Sequence, residues 1–210
     1  MVGPVELRAA LADPRARLGV GLTTLLATAG AVRRDHVDAW EARTFRAVNG
    51  LPDALYPPAW LVMQMGAFGA VPASAAAAWR AGEGELAARL LLGGTGAWAA
   101  AKLVKQVVRR PRPVALLPGS RCRGREAAGL GYLSGHAAVA VALGAAALPR
   151  LSPAGRALAL TAMPLVGLTR LYVGAHLPLD VAGGAALGLA ADAAAGLALA
   201  RIGPKAPAGR

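Results

Sequence analysis

The sequence predicts an all-α fold, a bundle of six transmembrane helices, and three observations favour it. Of the 210 residues, 56% are hydrophobic, and the mean hydropathy of +0.47 is too high for an ordinary soluble domain. Six apolar stretches approach the roughly 20 residues that a spanning helix requires. The 27 glycines and the low aromatic content of 4% leave mainly small and aliphatic side chains, which let membrane helices pack closely.

The six predicted spans follow one another along a single domain of residues 1–210, and their even number places both termini on one side. In the first span only residues 18–32 are free of charge, so its flanking arginines would reach outward to the interface. The predicted spans are residues 15–34, 58–79, 86–104, 130–148, 156–168 extending toward 173, and 178–200.

Two segments lie outside the spans. Between the first two, in residues 35–55, Trp40, Phe45 and Val48 recur near helical spacing among charges, which predicts an amphipathic helix at the membrane interface. A disordered tail is expected over residues 203–210.

The net charge of +12 suits either a nucleic acid or an anionic membrane surface. Because the chain is so apolar and has no aromatic-basic patch, we expect membrane lipids as partners and no nucleic acid. The lone cysteine, Cys122, excludes an intrachain disulfide and a cysteine-based zinc site; we interpret it as an incidental loop thiol. The oligomeric state stays open.

The predicted location is the bacterial cytoplasmic membrane, since richness in alanine and arginine is typical of GC-rich bacterial genomes. We expect cytoplasmic termini and an extracytoplasmic site. The arginine-rich segment 109–125 argues weakly against that orientation by the positive-inside rule. When Lys105, Arg112 and Arg170 are left out as functional residues, the two sides of the membrane have equal numbers of basic residues, so the rule favours neither orientation.

The first candidate motif joins Lys105, at the end of the third span, to Arg112-Pro113, which follows seven residues later. The prolines on either side of Arg112 force an extended exit from the helix. Two cations at this spacing can hold phosphate oxygens. The alternative is a basic cluster for anionic lipid headgroups, and we assign Arg109 and Arg110 to that cluster.

The second motif, Ser134-Gly135-His136, opens the fourth span. Ser134 is a typical N-cap, and Gly135 lets a ligand approach the backbone. Free N–H groups and the helix dipole favour an anion there, while His136 could protonate a leaving alkoxide. The alternative is a simple helix cap beside a polar interfacial histidine.

The third motif consists of Arg170, His176 and Asp180. The last two are four residues apart, hence neighbours on one helical face if the helix of the sixth span has begun by His176. An aspartate can fix the imidazole tautomer and leave the other nitrogen free to attack phosphorus, and an arginine can bind two phosphate oxygens. The alternative is an ion pair that closes a short loop. Six spans would bring all three motifs to one face of the membrane.

Two further ionisable residues have no clear role in the sequence. His36 has acidic neighbours but no third metal ligand, so we interpret it as a solvated interfacial residue. Asp192 lies inside the last span, where it could pair with an interior arginine or line a polar cavity.

These motifs resemble the three signatures of the type 2 phosphatidic acid phosphatase superfamily, whose active-site design is shared with vanadium haloperoxidases. Lys105 and Arg112-Pro113 match the first signature in full; the second has Leu133 in place of proline, and the third has Thr169 in place of serine. The resemblance implies a six-helix membrane core and no metal or cofactor. It implies that His176 is the nucleophile, Asp180 its orienting partner and His136 the acid, with the phosphate held by Lys105, Arg112, Ser134, Gly135 and Arg170.

The sequence therefore predicts a metal-independent membrane lipid phosphatase that forms a phosphohistidine. The expected substrate is a phosphomonoester or diphosphate of a lipid, either a polyprenyl diphosphate or a phosphatidate-type lipid. The diphosphate is slightly favoured, because a cluster of arginines offers more positive charge than one monoester requires: Arg109, Arg110, Arg121, Arg123 and Arg125. Two alternatives stay open: a phosphotransferase of the same superfamily with a lipid acceptor, and a non-catalytic bundle that binds or transports lipids.

Overall fold

The computed structural model describes residues 13–125 and 128–202, and the tail predicted over 203–210 lies outside them. The described residues form α-helices, two short 3-10 turns and loops, with no strand among them, so the predicted all-α fold is confirmed. The helices are α1 (Pro14–Ala31), α2 (Ala39–Asn49), α3 (Tyr56–Gln64), α4 (Ala70–Arg80), α5 (Gly84–Val108), α6 (Pro113–Leu116), α7 (Gly135–Ala147), α8 (Pro153–Tyr172) and α9 (Pro178–Ile202).

Several helices begin where an oxygen-bearing side chain can cap them. The Asp13 carboxylate accepts from the Arg15 amide at 3.0 Å before α1, and the Ser152 hydroxyl accepts from the Gly155 amide at 3.2 Å before α8. Proline occupies the first turn of both helices, where its missing N–H costs nothing. These local signals explain why the observed starts lie close to the predicted ones.

Helix α7 forms the centre of the bundle, packed against α9, α5 and α8. Eight of its 13 residues are buried, and six of these are alanines. Helix α9 crosses it closely enough that a Cβ at Gly188 would lie 3.0 Å from the Ala142 amide nitrogen. A Cβ at Gly21 of α1 would lie 2.8 Å from the Ala186 carbonyl oxygen of α9. Small residues thus permit the close helix approach that the composition predicts.

The predicted second span, residues 58–79, is wrong as a single helix. It consists of α3 and α4, separated by a turn at residues 65–69. Gly66 in this turn packs against the His136 backbone and the Val166 side chain, where a Cβ would clash. The turn thus brings backbone against the start of the central helix, a tertiary contact that hydropathy does not register.

The predicted amphipathic segment forms α2, whose buried face contains Phe45 and also Glu41. It packs against α8 and α9, while Trp40 is half exposed. Its position at a membrane interface stays a prediction. By length and apolar composition, one helix in the described part of the chain, α9, qualifies as a candidate membrane span. The count of six spans also stays a prediction.

Candidate functional site

The residues of the three motifs gather at one end of the bundle, each placed by the end of a helix. The last turn of α5 contains Lys105, and the last turn of α8 contains Arg170. The remaining residues lie at the starts of α6, α7 and α9 or in the loop before α9: Arg112, Ser134, Gly135, His136, His176 and Asp180.

Backbone hydrogen bonds join the second and third motifs. The Ser134 amide donates to the Asp180 carbonyl oxygen at 2.8 Å, which ties the start of α7 to the start of α9. The amides of Ala175 and His176 donate to the Arg170 carbonyl at 3.0 and 3.2 Å. This return of the chain is what brings the arginine and the histidine of the third motif into one site.

His176 and Asp180 form a buried pair. The imidazole Nδ1 lies 3.6 Å from Asp180 Oδ2, which also accepts from the Leu177 amide at 2.9 Å. Burial lowers the pKa of His176 well below its ordinary value, and the charges of Lys105, Arg170, Arg112 and the neighbouring His136 lower it further. The imidazole is therefore neutral at pH 7, the form in which a ring nitrogen can act as a nucleophile.

The cations of the first motif hold the surrounding loops. The Lys105 ammonium donates to the carbonyl oxygens of Leu130 and Gly131 at 3.1 and 3.0 Å, and also to that of Leu133. Arg112 donates to the Ala128 carbonyl at 3.1 and 2.9 Å and to the Ala175 carbonyl at 2.7 Å. An anion bound here would share these donors with the backbone.

The Arg170 guanidinium is aimed at the same region. It is buried and contacts the Met63 sulfur, and its Nε has no hydrogen-bond partner among the described residues. Together with Arg112 it lines a cavity of about 200 Å³. Since one water occupies about 30 Å³ of liquid, the cavity has room for a group several times larger.

The start of α7 completes the site. The Ser134 hydroxyl accepts from the Ala137 amide at 3.4 Å, and the first backbone bond of the helix is donated by Ala138 to Ser134. The amides of Gly135 and His136 precede that bond and are available to an anion. A Cβ at Gly135 would meet only the Ala101 Cβ at 4.0 Å, so packing does not require glycine at this position.

Two residues that sequence reasoning missed lie directly behind the site. The Arg110 guanidinium donates to Asp180 Oδ1 at 3.0 Å and to both carboxylate oxygens of Glu41, at 3.0 and 2.6 Å. Arg110 and Glu41 are each 1% exposed. The assignment of Arg110 to a headgroup-binding cluster is therefore wrong, because two carboxylates hold it inside the protein. The available signal was Glu41 itself, which shares a helical face with Phe45.

The other arginines of the basic segment differ in their surroundings. Arg109 is exposed and ends α5 in the left-handed region, with φ of 56°. Arg123 binds Asp53 at 2.8 Å and lies 4.1 Å above the Tyr172 ring, so it fastens the loop to the bundle. Cys122 is exposed and free, and it lines the same cavity as Arg112.

Asp192 pairs with interior arginines, which was one of the two alternatives. It accepts two hydrogen bonds from Arg89, at 2.7 and 2.8 Å, and lies 3.3 Å from Arg17. His36 is exposed on the surface near Asp38. Within residues 13–125 and 128–202, no three His, Cys, Asp or Glu side chains form a group that could hold a metal ion.

A family model described as "PAP2 superfamily" matches residues 86–201. No curated protein matches the chain. The crystal structure of Aquifex aeolicus LpxE has a TM-score of 0.70 at 21% identity, covering 78% of this chain and 98% of that one.

A second solved structure is similar over a longer part of the chain. The transmembrane PAP2-type phosphatidylglycerolphosphate phosphatase from Bacillus subtilis has a TM-score of 0.66 at 22% identity. The match covers 90% of this chain and 99% of that one. At these identities, both likenesses establish a common fold.

Proposed function

This chain belongs to the PAP2 superfamily, and from that membership and the geometry of its site we propose that it is an integral membrane lipid phosphatase. The observation that carries the proposal is the convergence of a buried, neutral His176 beside Asp180 with the cations of Lys105, Arg112 and Arg170. This set supplies a nucleophile, its orienting carboxylate and the charge that a phosphoryl group needs.

In the first step of the proposed reaction, His176 Nε2 forms a bond to phosphorus while the bond from phosphorus to the lipid oxygen breaks. Asp180, on the Nδ1 side, orients the ring and stabilises its charge. His136 gives its proton to the leaving oxygen, which departs as the lipid alcohol or, from a diphosphate, as the lipid monophosphate.

In the second step, water attacks the phosphohistidine. His136, now neutral, takes a proton from that water as the bond from phosphorus to nitrogen breaks. Inorganic phosphate is released and both histidines return to their starting forms. Positioning and charge stabilisation dominate phosphoryl transfer, and here side chains and the amides at the start of α7 supply that charge.

Two features support a lipid as the substrate. Many large apolar side chains are exposed on the surface of the bundle, among them Leu26, Leu103 and Leu158. Such a surface suits a hydrocarbon environment. An apolar cavity of about 470 Å³ lies among α4, α5, α7 and α8, and its lining includes Ala140 and Val166. These residues follow His136 and precede Arg170 by one helical turn, so a chain on the leaving oxygen would have space beside the site.

We propose a phosphomonoester or diphosphate of a lipid, polyprenyl or phosphatidate-type, without a preference between them. A diphosphate would gain from surplus positive charge near the site. Arg110 and Arg123 do not supply that surplus, because carboxylates neutralise them.

The proposal is tested by measuring phosphate release from a panel of lipid phosphates in detergent, with glucose 6-phosphate as a water-soluble comparison. We expect a higher kcat/KM for at least one lipid phosphate than for glucose 6-phosphate. His176→Ala should release no phosphate above background from any substrate. Equal kcat/KM for lipid and sugar phosphates would contradict the lipid assignment. Adding an acceptor lipid identifies a phosphotransferase if labelled phosphate appears on the acceptor rather than in solution.

A further inference from the structure

A chain of buried charges runs from α2 through the segment after α5 to the start of α9. Glu41 on α2 binds the Arg110 guanidinium through both carboxylate oxygens, and Arg110 Nη1 also binds Asp180 Oδ1. Glu41 Oε1 additionally accepts from the Leu179 amide at 2.9 Å. Three elements distant in sequence are thereby fixed to one another behind His176.

The two oxygens of Asp180 have separate partners. Oδ1 faces Arg110 at 3.0 Å, while Oδ2 accepts from the Leu177 amide and lies 3.6 Å from His176 Nδ1. A carboxylate bound at both oxygens has little rotational freedom. Glu41 fixes the guanidinium plane through two bonds, and that guanidinium binds Asp180, whose other oxygen faces the imidazole at 3.6 Å.

We infer that Arg110 and Glu41 are positioning residues for the reaction: Arg110 holds Asp180 charged and oriented, and Glu41 fixes Arg110, so that His176 presents its second nitrogen to phosphorus. This inference rests on the proposed function. Neither residue touches the cavity lined by Arg112 and Arg170; both act through Asp180.

The two residues have opposite electrostatic effects on Asp180. The Arg110 cation favours the charged carboxylate, whereas the Glu41 anion disfavours it through like-charge repulsion. Arg110 and Lys105 act on Asp180 directly, and Glu41 faces it across the Arg110 guanidinium. The other titratable groups that interact with it are Arg112, Tyr132 and His176. Removing either charge changes the pH at which the carboxylate takes up a proton, in opposite directions.

The experiment compares Arg110→Met and Glu41→Gln with the wild type in detergent, measuring kcat, KM and the pH dependence of kcat on a lipid phosphate. For Arg110→Met we expect kcat to fall about 10- to 100-fold, the scale on which outer partners of a functional histidine act, with KM nearly unchanged. The acid limb of the pH profile, where kcat falls as Asp180 takes up a proton, should move to higher pH. For Glu41→Gln we expect a smaller loss of kcat and an acid limb at lower pH.

A second buried pair in the same chain provides the matched control. Arg89 also binds a fully buried carboxylate, that of Asp192, through two bonds, but at a distance from the motifs. Arg89→Met should lower the midpoint of thermal unfolding and leave the pH profile and kcat per folded molecule unchanged. Arg110→Lys retains a cation and should recover part of the lost kcat and return the acid limb toward its wild-type position.

The outcomes separate the two proposals. If the wild type releases no phosphate from any lipid phosphate, the proposed function is wrong. If the wild type is active and Arg110→Met matches Arg89→Met, with an unshifted pH profile, the positioning role is wrong. Acid limbs that move in the same direction for Arg110→Met and Glu41→Gln would also overturn it. If Arg110→Met does not fold, the pH profile of Glu41→Gln decides: an acid limb at lower pH supports the positioning role, and one at the wild-type pH would overturn it.

Discussion

Replacement of Asp192 by asparagine tests whether burial, rather than distance, determines the strength of an ion pair in this protein. Asp192 is 0% exposed and binds Arg89 at 2.7 and 2.8 Å. Removing one partner of a buried pair costs about 3–5 kcal/mol, because the remaining charge is uncompensated. The Arg89 and Arg17 side chains are 21% and 11% exposed and can turn partly outward, so we expect about 3 kcal/mol, the lower end of that range.

The matched control is an exposed pair of nearly the same length. Arg150 lies 2.8 Å from Glu83, with side chains 49% and 40% exposed. Exposed pairs contribute about 0.2–1 kcal/mol, so Glu83→Gln should change stability by less than about 1 kcal/mol. The assay is unfolding of both variants in detergent, followed by denaturant or heat. Equal losses for Asp192→Asn and Glu83→Gln would refute the reasoning.

Three further predictions concern the site. His136→Ala should slow formation of the phosphohistidine from a lipid phosphate about 10²–10⁴-fold but slow its formation from an aryl phosphate far less, since an aryl oxide leaves without a proton; equal losses in this first step, measured in a single turnover, would remove His136 from the acid role. Hydrolysis should continue with EDTA present, because side chains supply the charge at the site; loss of activity that Mg²⁺ restores would contradict this. Cys122, the single cysteine, is exposed and should react with a membrane-impermeant maleimide in intact cells if the site is extracytoplasmic; labelling only after permeabilisation would place the site on the cytoplasmic side.

The features that the sequence predicted well are those encoded locally. Ser134 is a typical N-cap residue near the start of the fourth predicted span, and the structure has it as the N-cap of α7. The spacing of His176 and Asp180 predicted that the two side chains are neighbours, and His176 Nδ1 lies 3.6 Å from Asp180 Oδ2. They do not share a helix, because α9 begins at Pro178 and His176 lies in the loop before it. The family resemblance rested on such local patterns and is confirmed.

The features that were missed depend on contacts between distant parts of the chain. Arg110 and Glu41 are 69 positions apart, so an arginine among other arginines was interpreted as exposed. The interruption of residues 58–79 arises because Gly66 packs on His136 and Val166. Hydropathy is an average over a segment of the sequence, and it contains no information about the residues that a glycine such as Gly66 contacts in the fold.

The central claim is that His176 carries the phosphoryl group during turnover. The most direct measurement is an alkaline quench of the enzyme during turnover of a lipid phosphate labelled with ³²P, followed by mapping of the labelled peptide. We predict a base-stable, acid-labile label on His176 in the wild type and no label in His176→Ala. Phosphate release that continues in His176→Ala, or a label on any other residue, would contradict the account.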